Sequence, residues 1–188
     1  MKEGLLIVLS GPSGVGKGTV LKRFILDPKL NLAYSVSLTT RKPREGEVDG
    51  VNYHFVSHEY FENCIKNGEL LEYAEFVGNY YGTRENDVEE LLKQGKNVLL
   101  EIEVQGAIQV QEKKPEAISI FIIPPSFEEL ERRIRLRSSE NEELIQQRLA
   151  KAEKEMGLVE NYKYIVCNDD PQLAAAIISV IIKRSIES

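Results

Sequence analysis

Residues 5–19 read LLIVLSGPSGVGKGT, an unbroken apolar run followed by a glycine-rich turn and the start of a helical pattern. Such an apolar run is typical of a parallel strand that is buried on both faces. Glycines let the backbone curl so that successive N–H groups converge on phosphate oxygens, and the start of a helix adds a favourable dipole. A tight turn that uses its glycines for packing alone is the alternative. The order strand, turn, helix favours a phosphate-binding loop, which comprises Gly11, Pro12, Ser13, Gly14, Val15, Gly16, Lys17, Gly18 and Thr19.

The lysine of this loop supplies a mobile positive charge for the β- and γ-phosphates of a nucleotide. The residue after Lys17 is usually Ser or Thr, but here it is Gly18, and the hydroxyl comes one position later, at Thr19. Direct ligation of Mg²⁺ by that first hydroxyl is therefore impossible. Because Mg²⁺ retains several waters, we expect it to be held mainly by nucleotide phosphates and water, and we predict no metal site made by the protein alone.

Apolar runs and helical patterns alternate along much of the chain. Further apolar runs occur at 97–102, 118–123 and 164–167, and helical patterns at 17–26, 105–113, 126–137 and from Pro171 onward. Strands that alternate with helices indicate an α/β fold with a parallel sheet. We therefore expect a five-stranded parallel sheet flanked by helices.

Two segments interrupt this alternation. Residues 33–90 hold most of the aromatic residues and several short alternating segments, which predict a small lobe with antiparallel strands and a helix near 58–67. Residues 132–148 are charged and polar and predict a short helical lid. The predicted division is thus a core of 1–32, 91–131 and 149–188, a lobe of 33–90 and a lid of 132–148.

The composition limits the classes of partner. The 188 residues carry a net charge of -6, so the surface as a whole repels nucleic acid and anionic membranes, and bound phosphate must be held by local basic groups. The two cysteines, Cys64 and Cys167, lack neighbours at metal-ligand spacing and are expected to be buried, reduced thiols. The apolar run near the start is too short for a signal peptide or a membrane span. We expect a cytoplasmic protein without nucleic-acid or membrane partners; nothing in the sequence indicates its oligomeric state.

Residues 35–47, SVSLTTRKPREGE, form a second basic segment. Arg41 and Arg44 lie on either side of a proline that stiffens the loop, and two guanidinium groups at this spacing could clamp one phosphate dianion. Tyr53 and Tyr81 could add hydroxyl donors. Residue content alone leaves open a solvated basic loop, because most charged loop residues only decorate the surface.

These segments together resemble guanylate kinases over nearly the whole chain. The phosphate-binding loop is similar to the family's P-loop, and residues 35–47 with 50–56 resemble its GMP-binding segment. The remaining matches are LEYA (71–74), GNYYGT (78–83), LEIEVQG (100–106) and NDD (168–170). The resemblance implies a GMP-binding lobe at 33–90 and Mg²⁺-dependent transfer of the ATP γ-phosphoryl group to GMP, and to dGMP.

The resemblance also assigns roles to individual residues. It implies that the GMP phosphate is bound by Arg41, Arg44, Tyr53 and Tyr81, and the base by Ser37, Glu72, Thr83 and Glu103. It further implies that the catalytic groups are Lys17, Arg133, Arg137 and Arg148, with Asn168 near the ATP base. The chemistry agrees for Glu72: guanine presents N1–H and N2–H donors that a carboxylate accepts together, whereas adenine lacks a donor at N1.

Departures from the family pattern leave alternatives open. The family often has Asp at positions 101 and 103, and usually Gly where Ser138 stands. Glu72 could instead be a solvated residue of an edge strand, and the lid arginines could pair on helix surfaces with the glutamates at 128, 129 and 131. The rival functions are a kinase for AMP, UMP or a non-nucleotide acceptor, a non-catalytic module that binds phosphorylated partners, and a regulatory P-loop switch.

Overall fold

The order of helices and strands follows the predicted alternation. The computed structural model describes residues 2–76, 78–137 and 141–187. For Arg137 it describes the backbone and not the side chain. The strands are β1 (Leu6–Ser10), β2 (Leu32–Tyr34), β3 (Leu38–Thr39), β4 (His54–Phe55), β5 (Leu70–Phe76), β6 (Asn79–Arg84), β7 (Asn97–Glu101), β8 (Ile118–Ile123) and β9 (Tyr164–Cys167). The helices are α1 (Lys17–Leu21), α2 (His58–Lys66), α3 (Glu85–Lys93), α4 (Val104–Lys113), α5 (Phe127–Arg137), α6 (Glu142–Met156) and α7 (Pro171–Glu187).

A parallel sheet of five strands forms the centre, in the order β2-β7-β1-β8-β9. β1 pairs with β7 on one side and β8 on the other, with Leu6 opposite Val98 and Ile7 opposite Ile118. All five residues of β1 are buried, as expected for a central parallel strand. The predicted α/β fold with a five-stranded parallel sheet is therefore confirmed.

Apolar side chains of β1 alternate between two cores. Ile7 and Leu9 belong to a core that also contains buried residues of α1, α5, α6 and α7. Leu6 and Val8 point to the opposite face, where they join buried residues of α3 and α4. The sheet is thus covered by helices on both faces. No helix of the described residues is long and apolar enough to cross a membrane.

A second sheet of four strands, in the order β4-β3-β6-β5, forms within the segment 38–84. β3 pairs in parallel with β4, while β6 runs antiparallel to both β3 and β5. Its own small core contains Phe61 and Cys64 of α2, a helix whose start is capped by the Ser57 side chain. The boundary at residue 33 falls inside β2, a strand of the parallel sheet. The division into core, lobe and lid stays a prediction.

Three local expectations differ from the structure. α1 ends at Leu21, whereas the pattern continued to residue 26; Phe24 N–H already bonds to Leu21 O, one residue short of the α-helical spacing, and Pro28 disfavours helical backbone in Asp27. The fifth strand, β2, was not found in the sequence because it has only three residues, two half-buried and one exposed. Cys64 is buried as expected, but Cys167 is exposed because it lies on the edge strand β9; both thiols are free.

Candidate active site

The glycine-rich loop joins β1 to α1 at the carboxyl edge of the parallel sheet. Gly16 precedes the helix with a φ of 98°, in the left-handed region that favours glycine. A Cβ at this position would lie 2.7 Å from Asn168 Nδ2. The loop and the first residues of α1 border a cavity of about 330 Å³, which we call the donor cup; its lining includes Ser13, Gly14, Gly16, Lys17, Gly18 and Thr19.

Lys17 lies across its own loop. Its Nζ donates to Gly11 O at 2.6 Å and to Pro12 O at 3.5 Å. Burial lowers the pKa of Lys17, and neighbouring carboxylates, Glu103 foremost, oppose that shift. Lys17 lines both the donor cup and a second cavity beside it, so its charge lies where the two cavities meet.

Two predicted residues contact the loop backbone. Asn168 is buried, and its Nδ2 donates to Val15 O at 2.8 Å. The Arg133 guanidinium donates to the same carbonyl at 3.2 Å and to Asn168 O at 3.0 Å. Arg133 also pairs with Glu129, the helix-surface contact considered as the alternative role. Both residues therefore hold the loop, while their contacts with a nucleotide stay a prediction.

The remaining lid residues lie on α5 and α6. Arg148 donates to Ser13 Oγ at 3.0 Å, so α6 contacts the tip of the loop. Arg137 is the last residue of α5, and its side chain lies outside the described set. The expected effect of Ser138 on the lid turn also falls outside the described residues.

The second cavity, of about 320 Å³, lies between the parallel sheet and the second sheet, and we call it the acceptor cleft. It brings together eight residues predicted from widely separated segments. They are Lys17, Ser37, Arg41, Arg44, Tyr53, Glu72, Tyr81 and Glu103. Basic groups and a buried carboxylate thus share one cleft.

Arg41 is held in place by a residue to which no role had been assigned. Its guanidinium makes a two-pronged pair with Glu47, at 3.0 Å and 2.9 Å, and lies 5.5 Å from the centroid of the Tyr53 ring. Glu47 also accepts a bond of 2.7 Å from Arg44 N–H. The turn of the basic segment is therefore ordered by Glu47, and Arg41 is not a freely solvated side chain.

Glu72 is a buried carboxylate, only 4% exposed, and not a solvated edge residue. Its Oε1 accepts a bond of 2.6 Å from Thr83 Oγ1, which lies 3.4 Å from Ser37 Oγ. Burial raises the pKa of Glu72 to about 7, against the opposing effects of the Thr83 bond and the Lys113 charge. Thr83 itself is fully buried and supports Glu72 from the neighbouring strand β6.

A third cavity, of about 460 Å³, adjoins the tip of the loop and the acceptor cleft. Its lining combines Ser13 with Arg41, Arg44, Arg148 and Lys151. Lys151 was missed in the sequence, where it is one of many charged residues on a helix. In the structure its Nζ pairs with Glu103 and lies 4.6 Å from the centroid of the Phe76 ring. Four basic side chains thus line a cavity next to the loop tip and the acceptor cleft.

Comparisons with known proteins identify relatives over nearly the whole chain. The family model described as guanylate kinase matches residues 3–185. A guanylate kinase of Bacillus cereus is 55% identical over 96% of this chain and 88% of its own length. That of Mycoplasma mycoides subsp. mycoides SC is 56% identical over 96% of this chain, which spans 61% of the longer relative. A crystal structure of guanylate kinase from Anaplasma phagocytophilum superposes with a TM-score of 0.77 at 37% identity, covering 98% of this chain and 87% of that one.

Proposed function

The chain belongs to the guanylate kinase family of phosphotransferases, and on that premise we propose that the donor cup takes ATP and the acceptor cleft takes GMP. The γ-phosphoryl group of ATP passes to a phosphate oxygen of GMP, giving GDP and ADP. One observation carries the proposal: the buried Glu72 carboxylate shares the acceptor cleft with Arg41, Arg44 and Lys17.

The base end of the cleft suits guanine. The Glu72 carboxylate accepts from guanine N1–H and N2–H together, and Glu103 supplies a second carboxylate acceptor. The Ser37 hydroxyl, next to Thr83, can donate to O6. Adenine would leave the buried carboxylate facing an acceptor nitrogen, which costs the full desolvation of an unpaired group. The deoxy sugar of dGMP changes nothing at this edge of the base, so dGMP is accepted as well.

The other end of the cleft suits a phosphate. Arg41 and Arg44 offer guanidinium donors, and the hydroxyl groups of Tyr53 and Tyr81 border the same cleft. The ring centroids of Tyr53 and Tyr81 are 6.0 Å apart, so both hydroxyl groups can donate to one phosphate group. The pair with Glu47 already fixes the orientation of the Arg41 guanidinium, so less side-chain entropy is lost when a phosphate binds.

The donor cup suits the phosphates of ATP. Lys17, Gly18 and Thr19, the first residues of α1, lie at its wall, where the helix dipole favours an anion. Mg²⁺ fits here as an oxygen-ligated ion, because the lining of the cup includes the oxygen-bearing side chains of Thr19, Glu101 and Glu103. Nucleotide phosphates and waters would hold most of its coordination, and the ion would neutralise charge on the phosphates.

The residues act by positioning and charge. The attacking GMP oxygen is already ionised, so no general base is needed. Lys17, Arg133, Arg137 and Arg148 screen the two anionic substrates and the charge that spreads over the transferring group. Lid and lobe closing over both substrates would exclude water, so that GMP and not water receives the group. We assign ATP and GMP as substrates, with no nucleic-acid or membrane partner, and propose that the protein acts in the cytoplasm.

ADP release from ATP and Mg²⁺ in the presence of GMP, dGMP, AMP, UMP or CMP tests the proposal. GMP and dGMP should support turnover, with the other three at least about a hundredfold lower in kcat/KM. Turnover with AMP or UMP instead would indicate another nucleotide kinase. GMP binding without ADP release would indicate a non-catalytic module and overturn the proposal.

A further inference from the structure

The helix α4 packs against β5, the strand that carries Glu72. Gly106, in the first turn of α4, is buried directly against this side chain. A Cβ added at Gly106 would overlap Glu72 Oε2 and lie 3.0 Å from Cδ. Only a glycine therefore leaves room for the carboxylate where the structure has it.

Glycine is otherwise a poor choice inside a helix, because it costs more backbone entropy than alanine. Neighbouring residues of α4 fix the helix: Val104, Ala107 and Val110 are at most 1% exposed within the core beneath it. A methyl group at position 106 would thus displace the end of the Glu72 side chain and leave the helix in place. The substitution would therefore weaken the contact between the Glu72 carboxylate and the base.

A second contact joins α4 to β5 at Tyr73, the residue that follows Glu72. Gln109 Nε2 donates to Tyr73 O at 2.7 Å, and Gln109 Oε1 accepts from Tyr73 N at 3.1 Å. The side-chain amide thus pairs with the edge of β5 as a further strand would. Lys113 Nζ adds a bond of 2.7 Å to Leu70 O. The ladder between β5 and β6 also shifts register between Leu70 and Glu72, an irregularity of the kind that re-aims a side chain.

We propose that Gly106 and Gln109 are positioning residues for recognition of the guanine base: α4 fixes the strand through Gln109 and gives the Glu72 carboxylate its place through Gly106. The inference rests on the proposed function, because it takes GMP as the acceptor. Specificity for the acceptor is then set by the core helix as well as by the lobe. Neither residue needs to touch the nucleotide.

Steady-state kinetics of Gly106→Ala test the inference. KM for GMP should rise at least about tenfold, because the displaced carboxylate no longer meets both guanine donors. The values of kcat at saturating GMP and of KM for ATP should stay near those of the parent. Gly157→Ala is the matched control, since Gly157 ends α6 with an ordinary φ of -66° and its nearest Cβ neighbour is 3.3 Å away.

A rescue experiment separates positioning from general damage to the fold. Glu72→Asp draws the carboxylate back by one methylene and should raise KM for GMP in the parent. Combined with Gly106→Ala it should give a lower KM than Gly106→Ala alone, because the shorter side chain avoids the new methyl group. Purely additive effects of the two substitutions would overturn the role of Gly106.

Gln109→Ala provides the test should Gly106→Ala fail to fold. KM for GMP should rise about threefold or more with kcat preserved, since two hydrogen bonds to the strand are lost. Gln105→Ala, at an exposed position of the same helix, should behave as the parent. Suppose that the parent phosphorylates GMP and that both variants, Gly106→Ala and Gln109→Ala, have the KM of the parent for GMP. In that case this inference alone fails. If the parent does not use GMP, the proposed function and this inference fail together.

Discussion

The ammonium group of Lys151 forms an ion pair with the carboxylate of Glu103. Lys151 lies on α6, and Glu103 immediately precedes α4 at the carboxyl end of β7. The same ammonium lies 4.6 Å from the centroid of the Phe76 ring on β5. One cation therefore links α6 to the core and to the second sheet, at the wall of the third cavity.

Lys151→Ala should lower kcat/KM for GMP by about tenfold, because the cavity loses a positive charge where two anionic substrates meet. Lys154→Ala, at an exposed position of the same helix, is the control and should change little. A coupled assay of ADP formation gives kcat/KM for both variants. Equal kinetics in the two variants would remove Lys151 from the account of the site.

Replacement of the loop lysine should separate chemistry from acceptor binding. Lys17→Met should lower kcat by at least about a thousandfold, because no other side chain of the loop carries positive charge to the transferring group. GMP affinity, measured by calorimetry without ATP, should stay close to that of the parent. A variant with near-parental turnover would contradict the mechanism.

The affinity for GMP should depend on pH through Glu72. Burial raises the pKa of this carboxyl to about 7, so the group is charged above that pH and neutral below it. The neutral form keeps one fewer acceptor for the two guanine donors, so KM for GMP should rise by up to about tenfold as the pH falls from about 8 to 6.

The GMP phosphate also titrates near pH 6, so Glu72→Gln is the necessary control. Its dependence on pH reports the phosphate alone and should be weaker than that of the parent. A parent and a variant with the same pH profile would show that Glu72 does not titrate in this range.

Asn168→Ala tests whether this residue serves the loop or the adenine. Because its amide bonds to Val15 O, its loss should loosen the loop and lower kcat/KM about tenfold with ATP and GTP alike as phosphoryl donors. Asp169→Ala, at the exposed neighbouring position, is the control. A loss confined to ATP would instead assign Asn168 to recognition of the adenine.

Features with a local sequence pattern could be predicted from the sequence. The apolar run before Gly11 and the glycines after it locate the central strand and the loop without any tertiary information. β2 could not be found in this way, because three residues carry too little pattern and the strand is defined by its pairing with β7. The exposure of Cys167 likewise depends on the position of β9 at the sheet edge.

For the residues of the site as well, a local sequence pattern reveals some candidates and misses others. Arg41, Arg44 and Glu72 lie in segments with distinctive composition and could be named as candidates from the resemblance. Gln109 meets Tyr73 across 36 residues of chain, and Lys151 meets Glu103 across 48. Such contacts depend on how distant elements pack, so no local pattern distinguishes these residues from other surface-type side chains on their helices.

The most direct test of the account is the ratio of kcat/KM for GMP to that for AMP, measured in the parent and in Glu72→Gln. The parent should prefer GMP strongly, and the variant should lose at least about a hundredfold of that preference, because an amide cannot accept both guanine donors and no longer opposes adenine as a charged carboxylate does. An unchanged ratio in a folded and active variant would show that Glu72 does not select the base, and would contradict the central claim.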